Sequence, residues 1–288
     1  MAVSTTSAPE LSTEQVQSVL VKPLEQASTF LAAGPRVFDT PGRPVRVPKL
    51  GAPTSPAWHG ENEQITEVNP DFDEVELLPS TMESVKTITR FSNELARQSV
   101  VALDAALRDR LVTDVAYTLD KQFWGATGDG IVTPQGIGAY AGTQAIGATA
   151  GAITLDDLHD AWALALAANV NMGSLRWAMR PEVFSALRKL KDGSQRYQLQ
   201  PDPTQDGVFR LLGAPVTVTS AIPGTGTATN VWLADFSQIA VARDLAPSVK
   251  VLTERYADFD QQAMRVVARY DAKPLNPAAI VKIPVTAA

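Results

Sequence analysis

Leu103, Leu107, Leu111, Val115, Leu119 and Phe123 recur every four residues without a miss. Directly behind them stands Trp124-Gly125-Ala126-Thr127-Gly128-Asp129-Gly130, followed by Pro134-Gln135-Gly136-Ile137. A four-residue apolar repeat lays one stripe along one side of a helix. Asp104 with Arg108, and Arg110 with Asp114, add opposite charges one turn apart. The spacing predicts a helix from about Gln98 to Trp124, about 40 Å long. The glycines that follow end it.

Upstream, the chain reads as strands and arm. Residues 74–92 give two β segments, Glu74–Leu78 and Val85–Ser92, broken at Pro79-Ser80. Residues 35–56 hold six prolines, and Pro44 and Pro48 flank Val45 and Val47. Proline cannot donate to a ladder, so an edge or arm strand is expected there. Ser12–Ser28 is helix-like, with Val16, Leu20 and Leu24 at spacing four and an interruption at Pro23. Residues 1–10 read as a flexible terminus.

Downstream, a second helix is predicted from Thr154, with Asp157 as a near capping box and Leu158, Trp162, Ala165 and Leu166 as its apolar face. Leu175–Met179 reads as a strand. Pro181 fits the first turn of a third helix that runs to about Lys191. Residues 194–210 read as a surface loop. Val216–Thr219, Val231–Asp235, Ile239–Ala242, Val249–Leu252 and Ala279–Val285 are strand-like. Met264, Val266, Ala268 and Tyr270 alternate with Arg265, Arg269 and Asp271, which predicts a long half-buried strand.

The 288 residues carry a net charge of −6 and no cysteine. Disulfides, Cys-ligated metals and a Cys nucleophile are therefore excluded. As one compact body the chain would expose roughly 12,000 Å². The acidic balance argues against a dedicated nucleic-acid binder, and no apolar run reaches the ~18 residues of a membrane span. The start of the chain lacks the basic and apolar regions of a signal peptide. The charge is unevenly placed. From Gly51 to Val85 there is no Lys or Arg, but there are eight acids: Glu61, Glu63, Glu67, Asp71, Asp73, Glu74, Glu76 and Glu83. Such a segment repels itself. It also holds Trp58, Ile65, Val68, Phe72, Val75, Leu77 and Leu78, too many apolar residues for a solvated tail. A protruding arm that meets a basic surface on another subunit is the better reading.

Residues for catalysis are hard to find. Gly136-Ile137-Gly138 and Gly224-Thr225-Gly226 lack the third glycine of a dinucleotide loop, and no GxxxxGK[ST] or GxSxG occurs. His59 and His159 are the only histidines and read as surface or interface residues. Asp156, Asp157 and Asp160 lack a calcium-loop pattern and read as first-turn acids that favour the helix dipole. Arg265 and Arg269 share one strand face without interleaved aromatics, which fits interface salt bridges better than phosphate binding.

The order of the pieces carries more than any one of them. An acidic arm holds Trp58 and Glu61. Leu77-Leu78-Pro79-Ser80 follows, then Phe91-Ser92-Asn93-Glu94-Leu95, the long helix, Phe123-Trp124-Gly125, Gly130 and Pro134-Gln135-Gly136-Ile137. Trp177-Ala178-Met179-Arg180-Pro181, Leu211-Leu212-Gly213-Ala214-Pro215-Val216, Ala234-Asp235-Phe236 and Arg269-Tyr270-Asp271…Pro277-Ala278-Ala279-Ile280 come later. Over about residues 30–285 this resembles the HK97-fold major capsid proteins of tailed double-stranded DNA bacteriophages.

The resemblance implies an α+β HK97-type fold. Residues 1–30 would be an N-terminal arm and 46–85 an extended β arm (the E-loop). Residues 31–45, 86–135 and 243–274 would form a peripheral domain around the long spine helix, and 136–242 with 275–288 an axial domain. It also implies a structural, non-enzymatic protein without cofactor or metal. Such a protein assembles with itself into hexamers and pentamers of an icosahedral head around double-stranded DNA, without sequence-specific contact. The remaining partners would be a separate scaffolding protein, as Met1 suggests, a portal and a decoration protein. The setting would be the virion, assembled in the host cytoplasm. Candidate interface residues are Trp58, Glu61, Glu63, Glu67, Phe72, Arg265 and Arg269.

Some members of that family weld subunits through a Lys–Asn isopeptide bond. Here the arm window Gly51–Val85 has no Lys, the nearest being Lys49 and Lys86, and Tyr256–Leu275 holds neither Asn nor Glu, with Glu254 and Asn276 just outside. A shell without covalent links is therefore expected. Two other readings compete: an encapsulin-type compartment shell, which shares the fold but holds protein cargo, and a soluble hydrolase with paired carboxylates. No such pair stands out.

Overall fold

A computed structural model of the chain describes residues 28–50, 58–62, 64, 72–98, 103–147, 153–199, 209–226, 228–252 and 254–286. The helix expected over Ser12–Ser28 lies outside the described residues. In chain order the helices are α1 (Thr29–Ala32), α2 (Asn93–Gln98), α3 (Leu103–Phe123), α4 (Leu155–Ala167) and α5 (Pro181–Arg188). The strands of the first part are β1 (Arg36–Asp39), β2 (Val45–Leu50), β3 (Phe72–Leu77), β4 (Val85–Ser92) and β5 (Gln144–Ala145). Then come β6 (Leu175–Met179), β7 (Arg210–Leu211), β8 (Ala214–Val218), β9 (Gly224–Thr225) and β10 (Ala228–Asp235). The last three are β11 (Ile239–Leu252), β12 (Gln261–Pro274) and β13 (Ile280–Val285).

The spine helix is α3. Its 21 residues span about 31 Å, and the shorter α2 precedes it. Leu111, Val115, Leu119 and Phe123 are buried, as their spacing requires. Their stripe packs on Met264, Val266, Ala268 and Tyr270, the inward row of β12. β12 lies in a four-stranded sheet of order β1-β11-β12-β4, in which only the β1–β11 pairing is parallel. At the far end of α3, Phe30, Phe123, Trp124 and Phe236 form an aromatic cluster with ring centroids 5.1 to 5.8 Å apart. The buried Asp120 carboxylate accepts from the backbone N–H of Thr29 and from the Ser28 hydroxyl, which fastens α1 to the helix.

A second sheet, order β5-β13-β10-β6-β8-β7 with β9 on the edge of β10, carries α4 and α5 over a separate core. Thr154 and Asp157 form the capping box at the start of α4. The buried face of α4 is Leu158, Ala161 and Ala165, whereas Leu166 is exposed. A four-residue step drifts about 40° around a helix, so Leu166, two steps from Leu158, rotates off the buried face. Pro181 opens α5, which stops at Arg188, three residues earlier than its pattern suggested. The third unit is the arm: among the described residues β2 and β3 pair only with each other, antiparallel, from Val45↔Leu77 to Leu50↔Phe72.

Two expectations change. Ile239–Ala242 and Val249–Leu252 are one continuous strand, because β11 pairs with β12 along its length and absorbs Pro247 in register shifts between Arg243 and Ser248. The expected boundary at 242/243 thus falls inside a strand. Asp271, placed on the solvent side of β12 by alternation, is fully buried, because Leu77, Leu78 and Met82 cover that end of the outer face.

Candidate functional site: a subunit interface

The arm is a two-stranded ribbon with a charged ladder. Arg46 stands opposite Glu76, Pro48 opposite Glu74 and Lys49 opposite Asp73. Arg46 reaches diagonally to Glu74 at 3.5 Å, with both side chains more than half exposed. The acidic strand is therefore partly offset by β2, which its own sequence window did not reveal. A pair this exposed contributes only about 0.2–1 kcal/mol. Further out, Trp58 is fully exposed at 102%, and His59 and Glu61 are exposed beside it. Among the described residues nothing covers this indole. Phe72 lies in β3 opposite Leu50. Glu63 and Glu67 lie outside the described residues.

The body offers the opposite charge. In an antiparallel ladder, directly paired residues share a face. Lys250↔Arg265 and Arg265↔Ile88 form one such row across β11, β12 and β4. Lys86 and Arg90 flank Ile88 at the two-residue period of β4. The row lies on the outer face, away from α3, since Met264 and Val266 point inward. Arg265, Lys86, Lys250 and Ile88 are exposed. Arg90 lies over the Tyr256 ring, 5.1 Å from its centroid. None of these four cations forms an ion pair with another described residue. The exposed half of this face is thus a basic strip with an apolar centre.

Arg265 and Arg269, paired by the sequence, part ways here. Arg265 is exposed. Arg269 is not free to meet a neighbour: its side chain is 14% exposed, and Asp244 lies 3.2 Å away at the equally sheltered carboxylate. Arg269 also donates to the carbonyls of Met82 and Pro79, each at 3.0 Å. Asp271 accepts from the Leu78 N–H at 2.8 Å. Burial pushes the Asp271 carboxyl up, against the backbone donors of Leu78 and Ala272 and the Lys273 charge. Sequence reasoning missed Asp244 and Asp271. The signal was the Leu77-Leu78 pair, whose burial requires a covered stretch of sheet beneath it.

The loop after α3 holds the arm from the other side. Asp129 accepts from the N–H groups of Ile131, Val132 and Thr133, which hold its carboxyl far below the usual range. The carbonyls this loop turns outward then receive the Thr81 hydroxyl at 2.7 Å and the Glu83 N–H at 2.9 Å. Elsewhere, His159, Asp156 and Asp160 are exposed on α4, and Asp157 is engaged in the cap. Among the described residues no three His, Cys, Asp or Glu side chains gather as a metal site, and no helix is long and apolar enough to cross a membrane.

The comparisons with known proteins agree with this geometry. A family model described as the phage capsid family matches residues 11–285. The "Major capsid protein" of Klebsiella oxytoca phage phiKO2 is 27% identical over 306 aligned residues, covering 98% of this chain and 69% of that protein. Among solved structures, one from Microbacterium phage Oxtober96 superposes with a TM-score of 0.76 at 15% identity, covering 98% of each chain. The capsid of a native GTA particle gives a TM-score of 0.73 at 19% identity, covering 96% of this chain and 94% of that one. With its spine helix, two sheets and projecting ribbon, the chain belongs to the phage capsid family and is a structural capsid protein of the HK97-type fold.

Proposed function

We propose that this protein is the repeated subunit of an icosahedral phage head, built as hexamers and pentamers around double-stranded DNA. The observation that carries this is charge complementarity on a subunit incomplete by itself. An acidic ribbon with an exposed Trp58 leaves from the same outer face of the sheet that bears Lys86, Arg90, Lys250 and Arg265. The arm of one copy lies over the basic strip of the next, with Glu61, Glu63 or Glu67 facing Arg265 and Lys250. The four-stranded sheet with α3 is the peripheral domain and the second sheet with α4 and α5 the axial one. Scaffolding, portal and decoration proteins act as separate partners, and assembly takes place in the host cytoplasm.

Each cross-subunit pair is worth only about 0.2–1 kcal/mol. Repetition over a shell sets register more than affinity. Glu61→Lys with Glu63→Lys should leave the circular dichroism spectrum unchanged and cut particle yield, more so at low salt. Combining it with Arg265→Glu and Lys250→Glu should restore yield. Full yield from the first double variant at low ionic strength would show the arm charge to be a solvated face.

Particles should contain nuclease-protected double-stranded DNA; protein cargo without DNA would favour the compartment-shell reading instead. The shell should also be free of covalent links. The arm window 51–85 holds no Lys; Lys49 lies on β2 opposite Asp73 and Lys86 on β4, and the Asn276 side chain is engaged in accepting from the Ala278 N–H at 3.2 Å. Boiled, detergent-denatured particles should run as one band near 30.8 kDa, and a ladder of pentamer and hexamer bands would overturn this.

A further inference from the structure

We infer that Arg269 and Asp244, with Asp271 beside them, form a latch that fixes the direction in which the arm leaves the subunit, so that Arg269 is a positioning residue for assembly. The inference rests on the shell reading above for its consequence but not for its geometry. Both roots of the arm come to this one ion pair. On the outgoing side, the Thr40 N–H donates to the Arg243 carbonyl at 2.9 Å. Gly42 turns with φ +83° beside Asp244, where a Cβ would stand 3.3 Å from the carboxylate. On the returning side, every nitrogen of the Arg269 guanidinium is used. Nε donates to Met82, Nη2 to Pro79 and more weakly to Ser80, and Nη1 meets Asp244.

The surrounding backbone is shaped for this contact. The register shift in β11 leaves Asp244 as an extra residue between the pairs Arg243↔Tyr270 and Leu245↔Arg269, and such a bulge re-aims a side chain. Leu78 has φ +56°, a left-handed conformation that a leucine adopts only when its surroundings hold it. Its N–H is held by Asp271, and its side chain is fully buried over Ala240 and Ala242. Small residues beneath and a planar guanidinium above leave the root one way to lie. A lysine at 269 would neutralise Asp244 but could not span three carbonyls in fixed geometry.

The absence of cysteine makes the test direct. Spin labels on Asp73→Cys, exposed on β3, and Tyr117→Cys, exposed on α3, report the arm-to-body distance in unassembled subunits. The parent should give one narrow distribution. Arg269→Gln should broaden it about twofold and raise amide exchange of residues 77–83 about tenfold, as expected when local opening no longer costs the lost contacts. Arg269→Lys should broaden it too. Leu158→Ala, which loosens the other core, should lower the melting temperature without broadening. A folded Arg269→Gln subunit with the parent's distribution and exchange overturns the latch, as does equal broadening in Leu158→Ala. Should Arg269→Gln fail to fold, Asp244→Asn replaces it with the same two outcomes. Folded Arg269→Gln subunits should assemble into shells of mixed size. If the parent itself forms no shells, the shell reading fails while the distances still judge the latch.

Discussion

Trp124→Ala should destabilise the unassembled subunit by about 3–5 kcal/mol, the range for removing a large aromatic from a core. Trp124 is 1% exposed at the end of α3. It meets Phe30 and Phe236 edge-on, at 5.1 and 5.7 Å between centroids, and its Nε1–H donates to the Thr29 hydroxyl at 3.1 Å. Truncation therefore removes packing, two aromatic contacts and a partner for a polar group at once. The loss falls where α1 joins the spine helix, so the N-terminal segment should loosen first. Trp124→Phe keeps most of the ring and should cost clearly less. Urea unfolding read by circular dichroism checks both. A loss below about 1 kcal/mol for the alanine variant would show that the cluster is not the joint it is taken for.

Gly136→Ala should cost at least about 1–3 kcal/mol, as overpacking does in a site that cannot give. A Cβ there would collide with the Gly125 and Gln122 carbonyls. The approach is fixed by the chain itself, because the Gly136 N–H donates to Thr127 and the Gly138 N–H to Gly125. Gly128→Ala should behave alike. Its φ is +100°, and a Cβ would run into the Pro134 carbonyl that the Gln122 amide donates to at 2.6 Å. The glycines after the spine helix are thus a knot of backbone contacts that sets the loop holding Thr81 and Glu83 of the arm. Gly193→Ala, where a Cβ meets open space, should stay within about 0.5 kcal/mol. Equal unfolding midpoints for Gly136→Ala and Gly193→Ala would refute the steric account.

What could be read beforehand was what local pattern controls. The leucine stripe of α3, the Thr154 cap, Val85–Ser92 and the alternation of Met264 to Tyr270 all follow from side-chain period and capping chemistry, which need no knowledge of the rest of the chain. The misreadings have the opposite origin. β11 read as two segments, Ile239–Ala242 and Val249–Leu252, because its continuity comes from pairing with β12. The short strand Arg36–Asp39 has no pattern of its own and exists because β11 offers it an edge. Arg269 and Asp271 matched the solvent-facing row of β12, and only the Leu77-Leu78 cover, 193 residues from Asp271 in the case of Leu78, makes them interior. The acidic arm was visible as composition. The basic strip was not, since Lys86, Lys250 and Arg265 come together only through sheet register.

Electron microscopy of the assembled material, with its sedimentation, puts the proposal of a closed icosahedral shell to the most direct test. Closed shells of uniform size, with rings of five and six in their walls and DNA inside, are the expected result. Only 30.8 kDa monomers, at high concentration and in virion buffer, would contradict it.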